Sequence, residues 1–378
     1  MGTKERTTER KAFKDWFDRQ AAHQLAAQIA GVWPRFNSNR FVKLATNNLK
    51  GLEFHGRVQQ FANALQATLP KDIPRALDIL TRSLPTELPD TEAVTDGWLQ
   101  WPVGQFIADH GVPYFEESMR AMTELTTRFS SEFAIRPFLL ERPKETYEYI
   151  YSITSHPNAH VRRWCSEGTR PRLPWGRRLP ADPASSWPIL EALKDDPEIY
   201  VRKSVANHSN DLSKEYPDLV VARCRAWQKG ATPERTWIIR HALRSLIKAG
   251  HPEAMRLLGF GDGKGLRATL RIKPRAVNVG DAVTLNAAIR NTGKTVQRLV
   301  VDYLVHFARP SGKPSRKVFK WTVAEVEPGG VLRIEKRHPL RHTTIRTLYP
   351  GRHRIEVQVN GARLVAALFE LSSDSYDK

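Results

Sequence analysis

The chain has 378 residues, 40% of them hydrophobic, which is enough for two domains with ordinary cores. Its 59 Lys and Arg against 40 Asp and Glu give a formal net charge of +19, which favours a polyanionic partner; nucleic acid is the commonest, and a merely solubilising or ribosome-like excess is the alternative. Two cysteines exclude a disulfide framework, and no run approaches the roughly 18 apolar residues of a membrane span.

The first ten residues are charged and no apolar stretch follows them, so we expect no signal peptide. Together with the cysteine content, this predicts a soluble, cytoplasmic protein. Up to about residue 265, apolar residues recur at helical spacing. Helices are predicted over 74–84, 115–140 and 144–155.

A repeated helix start lies within this helical part. The pairs His156-Pro157, Asp196-Pro197 and Thr232-Pro233 place their prolines 40 and 36 residues apart (197 − 157 and 233 − 197). A polar cap followed by Pro is typical of a first helical turn. Periods near 40 residues with helix pairs are typical of HEAT-like solenoids. The sequence therefore predicts a HEAT-like α-solenoid domain over 1–260.

The stretch between Glu148 and Asp182 has an unusual composition. It contains six arginines and two tryptophans but a single acidic residue, Glu167. Arginine attracts phosphate, and indole faces attract cations and stack on flat or sugar-like groups. One carboxylate in such a setting suits a substrate that is anionic along its backbone and positive at one place, as DNA with a cationic, alkylated base is.

After the glycine-rich joint at 259–265, the pattern changes to short β-branched runs that alternate with polar residues. Turn signals separate the runs, at 291–294, 310–313, 328–330 and 360–361. Roughly seven strands in about 105 residues are typical of a β-sandwich of immunoglobulin-like size. The sequence thus predicts a mainly α chain with a carboxyl-terminal immunoglobulin-like β-sandwich over 266–372.

Both parts are basic. From Leu266 onward, 21 Lys and Arg against 9 Asp and Glu give a net charge of +12, which leaves 38 against 31, or +7, for the first 265 residues. A sandwich added only for rigidity needs no such charge, so we expect it to contact the polyanion. Its basic, aromatic run 341–353 is suited to holding a duplex backbone.

Three stretches together resemble the AlkC branch of the HEAT-like-repeat DNA glycosylases. They are the segment 126–138, the run 156–178 with the motif Trp164-Cys-Ser-Glu-Gly-Thr-Arg-Pro-Arg-Leu-Pro-Trp175, and the segment 200–211. The resemblance covers nearly the whole chain, because such proteins can carry an immunoglobulin-like carboxyl domain. It implies hydrolysis of the N-glycosidic bond of N-alkylated bases such as 3-methylcytosine and 3-methyladenine in duplex DNA, without base flipping.

The resemblance also assigns roles to residues. Glu132 and Glu167 match acidic positions of the family's active site, and Trp175 matches its aromatic wall. A methylated ring nitrogen makes the base an activated leaving group, and the sugar becomes cationic as the bond breaks. Carboxylates and an aromatic face beside the sugar would stabilise that charge and orient a water molecule. We therefore expect these three residues to be catalytic, without a metal or cofactor.

DNA contacts are predicted for one tryptophan and ten arginines: Arg136, Arg162, Trp164, Arg170, Arg172, Arg177, Arg178, Arg202, Arg341, Arg346 and Arg352. Structural explanations stand beside several of these. Arg136 could pair with Glu132 on a helix, and Arg162 and Arg202 could form ion pairs inside the solenoid. Trp164 could belong to the core. Glu167 could simply neutralise Arg163 or Arg170.

Two other functions compete with a monomeric glycosylase. An iron- and oxoglutarate-dependent demethylase needs a His-x-Asp/Glu motif, and the nearest match, His251-Pro-Glu253, stands at a helix end. A non-catalytic HEAT-repeat scaffold would bind nucleic acid and leave methylated DNA intact. Abasic-site formation separates that alternative from the enzyme.

Overall fold

The computed structural model describes residues 12–343 and 346–373. These residues form two compact units, one comprising 12–215 and 232–238, the other 216–231 and 239–373. The helices of the chain are α1 (Arg19–Val32), α2 (Ser38–Ala45), α3 (Phe54–Thr68), α4 (Ile73–Arg82), α5 (Trp101–His110), α6 (Phe115–Thr126), α7 (Arg136–Glu141), α8 (Pro143–Ser152), α9 (Ala159–Glu167), α10 (Pro183–Leu193), α11 (Ile199–Leu212), α12 (Pro217–Gln228), α13 (Pro233–Ala242), α14 (Arg244–Ala249) and α15 (Pro252–Leu257).

Helices of the first unit begin where polar caps satisfy the free N–H groups of the first turn. Asp18, Asp72 and Asp182 each accept a hydrogen bond from the backbone N–H three residues later. Helices close in sequence pack on one another, as α9 does on α11 and α10 on α11. Such local packing is typical of a helical repeat, and the predicted HEAT-like solenoid is confirmed.

The structure explains why a Val-Arg pair recurs at the same place in α9 and α11, which the sequence period did not show. Val161 and Val201 are fully buried. The arginine that follows each valine donates from Nη1 to the carbonyl oxygens of the preceding turn: Arg162 at 3.0 and 2.8 Å, and Arg202 at 2.6 and 2.7 Å. In both helices the accepting residues lie six and five positions before the arginine. The repeated Val-Arg pair therefore fixes a helix start.

The prediction of one helical segment over 115–140 is wrong in its middle. Helix α6 ends at Thr126 and α7 begins at Arg136. Between them, the Ser131 hydroxyl donates to the Met122 carbonyl oxygen at 2.7 Å. Serine side chains that bond to nearby backbone groups compete with helical hydrogen bonds. The break matters because Glu132 lies within it.

The strands form two sheets of a sandwich. They are β1 (Leu266–Lys273), β2 (Ala276–Asn278), β3 (Ala282–Asn291), β4 (Gln297–Phe307), β5 (Ser315–Val326), β6 (Val331–Pro339), β7 (Gly351–Val359) and β8 (Ala362–Ser372). One sheet has the order β1-β3-β6 and the other β2-β8-β7-β4-β5. Neighbours are antiparallel, except that β2 pairs parallel to β8.

The sandwich core lies between the two sheets. Val283 and Leu285 of β3 pack in one buried cluster with Tyr303 and Val305 of β4. The four turn signals of the sequence fall between β3 and β4, β4 and β5, β5 and β6, and β7 and β8, and the immunoglobulin-like fold is confirmed. The described residues hold eight strands where roughly seven were expected.

The second unit includes helices as well as strands. Met255 and Phe260 pack with Val300 of β4 in a third buried cluster. The backbones of Gly250 and Gly361 approach so closely that a Cβ on Gly250 would lie 2.6 Å from the Gly361 Cα, so glycine is required there. Helices α14 and α15 thus pack against the sandwich, and the boundary expected between 260 and 266 stays a prediction. Across the described helices, none combines the length and the apolar character needed to cross a membrane.

Candidate active site

A cleft of about 390 Å³ in the first unit contains both predicted glutamates. Aromatic rings supply most of its wall: Phe13, Trp16, Trp98, Trp101, Phe133 and Tyr200. Trp101 stacks on Phe133 with ring centroids 4.9 Å apart, which fixes two of these rings. The cleft therefore combines carboxylates with aromatic faces.

Glu132 lies in the turn between α6 and α7. Its carboxylate accepts a hydrogen bond from the Ser130 hydroxyl at 2.9 Å and another from Arg163 Nη1. The side chain is 13% exposed. The irregular turn allows this carboxylate to enter the cleft, whereas the predicted helix would have placed it beside Arg136.

Glu167 ends helix α9 and is held from three sides. Its carboxylate accepts from Arg170 Nη1 at 2.5 Å and from the Ser204 hydroxyl at 2.6 Å, and it lies 3.5 Å from Arg163 Nη2. Burial raises the pKa of this carboxyl, but Arg163, Arg170 and Ser204 together outweigh burial and hold the pKa below its ordinary 4.5. Glu167 is therefore ionised at neutral pH.

Arg163 joins the two glutamates. Its guanidinium contacts both carboxylates and lies over the Tyr200 ring, 5.2 Å from the ring centroid. Burial lowers the pKa of Arg163, but the two carboxylates more than compensate and leave it raised. The sequence indicated Arg163 only as a possible neutralising partner of Glu167. That ion pair forms, and it brings Glu132 and Glu167 to one place.

A third carboxylate, Asp211, belongs to the same network of ion pairs. It is 2% exposed and accepts from Arg170 Nε at 3.0 Å and from Lys214 Nζ at 3.1 Å. Asp211 lies on α11 one turn after His208, on the side of the helix that faces α9. This position is the feature that could have indicated Asp211 from the sequence. Glu132, Glu167 and Asp211 set three negative charges against the two of Arg163 and Arg170, and Lys214 reaches Asp211 from the exposed side.

Trp175 lies at the edge of the cleft in an unusual conformation. It is 70% exposed, and its φ of 63° places a bulky residue in the left-handed region. That conformation costs roughly 1–2 kcal/mol for an L-residue. Its indole lies 6.1 Å from the Phe13 ring. A large apolar ring in solvent on a strained backbone is typical of a binding surface and not of a core.

The predicted DNA contact by Arg136 is wrong because the side chain is 2% exposed. Its guanidinium donates to the carbonyl oxygens of Gly168 at 3.0 Å, Arg170 at 2.6 Å and Arg177 at 2.8 Å. Burial lowers the pKa of Arg136 to about 10. Arg136 therefore holds the segment 168–178 that carries Trp175, and the alternative of a surface ion pair with Glu132 does not form.

Three further predicted DNA contacts have packing or ion-pair partners within the protein. Trp164 is fully buried, so its ring has no surface for DNA, and the core alternative holds. Arg162 makes a bidentate ion pair with Asp196 at 2.6 and 3.1 Å, as the solenoid-internal alternative required. Arg170, 7% exposed, bridges Glu167 and Asp211. Trp164 and Arg170 are therefore buried, whereas Arg162 is partly exposed and already paired, so its DNA contact stays a prediction.

Other predicted contacts are at least partly accessible. Arg177 and Arg178 are exposed beside Trp175, while Arg172 pairs with Glu215 at 3.0 Å and Arg202 is half-buried. In the sandwich, Arg341 is exposed, Arg352 pairs with Glu370 at 3.0 Å on the surface, and the Arg346 guanidinium lies over the Phe307 ring. Residues 344 and 345 of the predicted basic run lie outside the described residues. DNA contact by these arginines stays a prediction.

In the described chain, no group of three or more His, Cys, Asp or Glu could hold a metal ion. His251 and Glu253, the nearest match to a demethylase motif, make structural contacts instead. His251 caps α15 and lies 3.3 Å from Asp218, and Glu253 pairs with Arg225 at 2.8 Å.

The fold and the cleft define a class: a HEAT-like-repeat protein with paired carboxylates in an aromatic cleft, followed by a basic immunoglobulin-like domain. Residues 267–373 match the family model of the YhaZ carboxyl-terminal Ig-like domain. The chain is 33% identical to the uncharacterised protein YhaZ of Bacillus subtilis over 92% of its own length and 96% of that protein.

A solved structure resembles the chain throughout. It is the Pseudomonas fluorescens alkylpurine DNA glycosylase AlkC, bound to DNA that contains an abasic-site analogue. The identity is 36%, the TM-score is 0.86, and the match covers 95% of this chain and 99% of that one. The chain belongs to the AlkC family.

Proposed function

We propose that the protein is a DNA glycosylase that hydrolyses the N-glycosidic bond of cationic N-alkylated bases in duplex DNA, the first step of base excision repair. The observation that carries this is the joining of Glu132 and Glu167 by one guanidinium inside an aromatic cleft. The family relationship to an alkylpurine DNA glycosylase supports it.

The reaction needs little from the protein at the leaving group. The bond between C1′ and the base nitrogen breaks, and its electron pair neutralises the positive charge of the alkylated base. Positive charge then develops on the deoxyribose, where the carboxylates of Glu167 and Glu132 stabilise it. A water molecule adds to C1′ and gives its proton to a carboxylate. Trp175 offers an aromatic face to the same cationic sugar.

The exposed edge of the cleft favours binding of the damaged nucleotide from outside the DNA duplex. Trp175 is largely exposed at the edge of the cleft, so the indole can meet a sugar while its base remains stacked. The neighbouring Arg177 and Arg178 are exposed, which supports a role for them in holding the strand. We propose excision without base flipping, by a monomeric enzyme that acts in the cytoplasm.

The test is a base-release assay on duplexes with one defined lesion. We expect release of 3-methyladenine and 3-methylcytosine, an abasic site as product, and no release of uncharged uracil. A protein that binds these duplexes and leaves every lesion in place would instead be the non-catalytic scaffold. Equal release of uracil would contradict the electrostatic mechanism, because uracil carries no formal charge.

A further inference from the structure

A second cavity, of about 370 Å³, lies wholly within the second unit. We name it the Asp302 pocket. Its walls come from the end of α13, from α14, from the segment after α15 and from strands β4 and β5. Phe260 and Val300, both buried, form part of its apolar floor.

Cationic side chains surround this pocket: Arg240, Arg244, Lys248, Arg298 and Lys320. In the described chain, no ion pair joins a carboxylate to Arg240, Lys248, Arg298 or Lys320. Arg298 is nevertheless held in place, since its Nη1 donates to the Leu258 carbonyl oxygen at 3.0 Å and its guanidinium lies over the Phe260 ring. Positive charge is thus gathered around the cavity, and these four side chains are not neutralised by ion pairs.

The pocket also contains one buried acid. Asp302 on β4 is 4% exposed, and its carboxylate has no hydrogen bond or ion pair with any described residue. Its neighbours in the sheet are Lys320 on β5 and Gln358 on β7. Burial raises the pKa of Asp302 to about 6, against the opposing effect of Lys320 and Lys248. An unpartnered buried carboxylate is costly to the fold, and a structural ion pair would have removed that cost.

We propose that the Asp302 pocket is a binding site for a phosphate group. The guanidinium and ammonium groups around it supply charge-assisted donors, which are the groups that bind phosphate oxygens. When the phosphate enters, Asp302 takes up a proton from solvent, because two anions cannot share the cavity. The neutral carboxyl can then donate its O–H to a phosphate oxygen.

The phosphate could belong to a DNA strand or to a small free anion. Exposed lysines by themselves are usually solvated and do not form a binding site. What distinguishes this pocket is the combination of a fixed arginine, an apolar floor and a buried acid that has no partner. Only the DNA source rests on the proposed function.

The first experiment removes pocket charge from the full chain. The double variant Lys248→Gln/Lys320→Gln takes two exposed cations, so the fold should be kept. Two matched controls remove exposed cations outside the pocket, Lys336→Gln on the other sheet and Lys313→Gln between β4 and β5. We expect inorganic phosphate to raise the Tm of the native chain and of both controls, and to protect the double variant much less.

The same proteins are then titrated with an undamaged duplex. If the occupant is a strand phosphate, the slope of log affinity against log salt falls by about 0.9 for each phosphate that the double variant no longer neutralises. If the occupant is a free anion, duplex affinity stays unchanged while protection by phosphate disappears. Protection is measured without DNA, so it remains informative even if the protein is no glycosylase.

The second experiment uses Asp302→Asn, which imitates the protonated acid. With a pKa near 6, neutralising Asp302 should strengthen phosphate binding at pH 7.5 by up to about thirtyfold. Affinity of the native chain should rise by up to about tenfold per pH unit from pH 8 to 6 and level off below, with sulfate as the probe because its charge is constant there. The variant should show no such dependence.

A gain of affinity cannot come from misfolding, so the Asn variant tests the site even if the double variant is unstable. Equal anion affinity of Asp302→Asn and the native chain at both pH 8 and pH 6 would overturn the proposal. Equal protection of the double variant and the native chain by phosphate, with unchanged duplex binding, would overturn it too.

Discussion

At the scale of single residues, the cleft is organised by Arg163, which holds two carboxylates that would otherwise repel one another. In the resting protein, the Arg163 guanidinium offsets the negative charge of the two acids, as we expect the cationic sugar to do in the reaction. It holds the two carboxylates close together, and at Glu167 it helps to lower the pKa. The same guanidinium packs on Tyr200, so its position is fixed by an aromatic face as well as by charge.

Replacing Glu167 with Gln keeps the size of the side chain and removes its negative charge. We expect base release from 3-methyladenine in single-turnover assays to fall by about 10²-fold or more, because a preorganised charge beside the sugar is removed. DNA affinity should change little. Glu145→Gln is the control, since Glu145 forms an exposed ion pair with Arg142. Full activity in the Glu167 variant would remove this residue from the mechanism.

The pH dependence of base release should reflect the depressed pKa of Glu167. In the folded protein, the pKa of Glu167 lies below 4.5, so the carboxyl stays ionised down to that lowered pKa. Its ion pairs and its catalytic charge are kept above the folded pKa and lost below it. We expect single-turnover rates to be flat from pH 8 to 5. Arg163→Gln removes one cause of the depression and should move the acidic fall in rate to higher pH. An unmoved profile would show that another group controls it.

Trp175 gives a test that separates stability from function. Glycine tolerates the left-handed conformation that strains Trp175, and the relief of roughly 1–2 kcal/mol offsets the entropy that glycine loses on folding. Trp175→Gly should therefore keep or raise the Tm while base release falls by about tenfold or more. Trp175→Phe retains a ring and should retain more of the rate. A large loss of Tm in the glycine variant would instead mark Trp175 as a core residue.

At the scale of elements, segment 168–178 is irregular and depends on one side chain from outside it. Arg136 binds three of its backbone carbonyl oxygens. Unsatisfied buried carbonyls would each cost about 1–3 kcal/mol. The segment carries both Trp175 and the exposed Arg177, so Arg136 on α7 acts on the cleft without contacting DNA.

This role predicts opposite behaviour for two arginines. Arg136→Gln should lower the Tm by several degrees and reduce base release, because the segment loses its support. Arg177→Gln should leave the Tm unchanged and weaken duplex binding, since its side chain is exposed. Thermal unfolding and anisotropy titrations of the two variants check this. An Arg136 variant with native Tm and weakened DNA binding would instead support the DNA contact that the sequence predicts for Arg136.

The sequence predicted elements better than side-chain directions. Proline spacing indicated the starts of α9, α11 and α13, and the turn signals marked four strand connections, because these features are local. Arginine composition could not say which guanidinium faces inward. Arg136, Arg162 and Arg170 each have a partner 32 to 41 residues away in sequence, for example Arg136 at Gly168 and Arg170 at Asp211. Such partners are set by packing and not by spacing.

The candidate site shows the same division. The motif that begins at Trp164 located Glu167 and Trp175, and the resemblance added Glu132. Asp211 and the joining role of Arg163 were missed, because each depends on which face of a helix meets its neighbour. The break that places Glu132 in the cleft was missed as well, since the hydrogen bond from Ser131 back to Met122 of α6 leaves no trace in the apolar periodicity.

At the scale of the whole molecule, charge is the property that both units share. The residues from 266 onward carry a net charge of +12 and the preceding ones +7. Because Lys and Arg outnumber Asp and Glu by this margin, ion pairs within the protein cannot neutralise all of them. Arg341 and Arg352 are exposed on the sandwich. If the second unit binds the phosphates of a DNA strand, the removal of its exposed arginines should reduce the salt dependence of binding by a predictable amount.

The double variant Arg341→Gln/Arg352→Gln should weaken binding to damaged and undamaged duplexes alike, because phosphate contacts carry no sequence information. The slope of log affinity against log salt should fall by about 0.9 for each phosphate that is no longer neutralised, or about 1.8 if both arginines take part. Single-turnover base release at saturating DNA should be kept, since the cleft lies in the first unit. Lys313→Gln, an exposed cation in the turn between β4 and β5, is the control for charge alone. A slope that stays unchanged in the double variant would mean that the sandwich is basic for a reason other than holding the duplex.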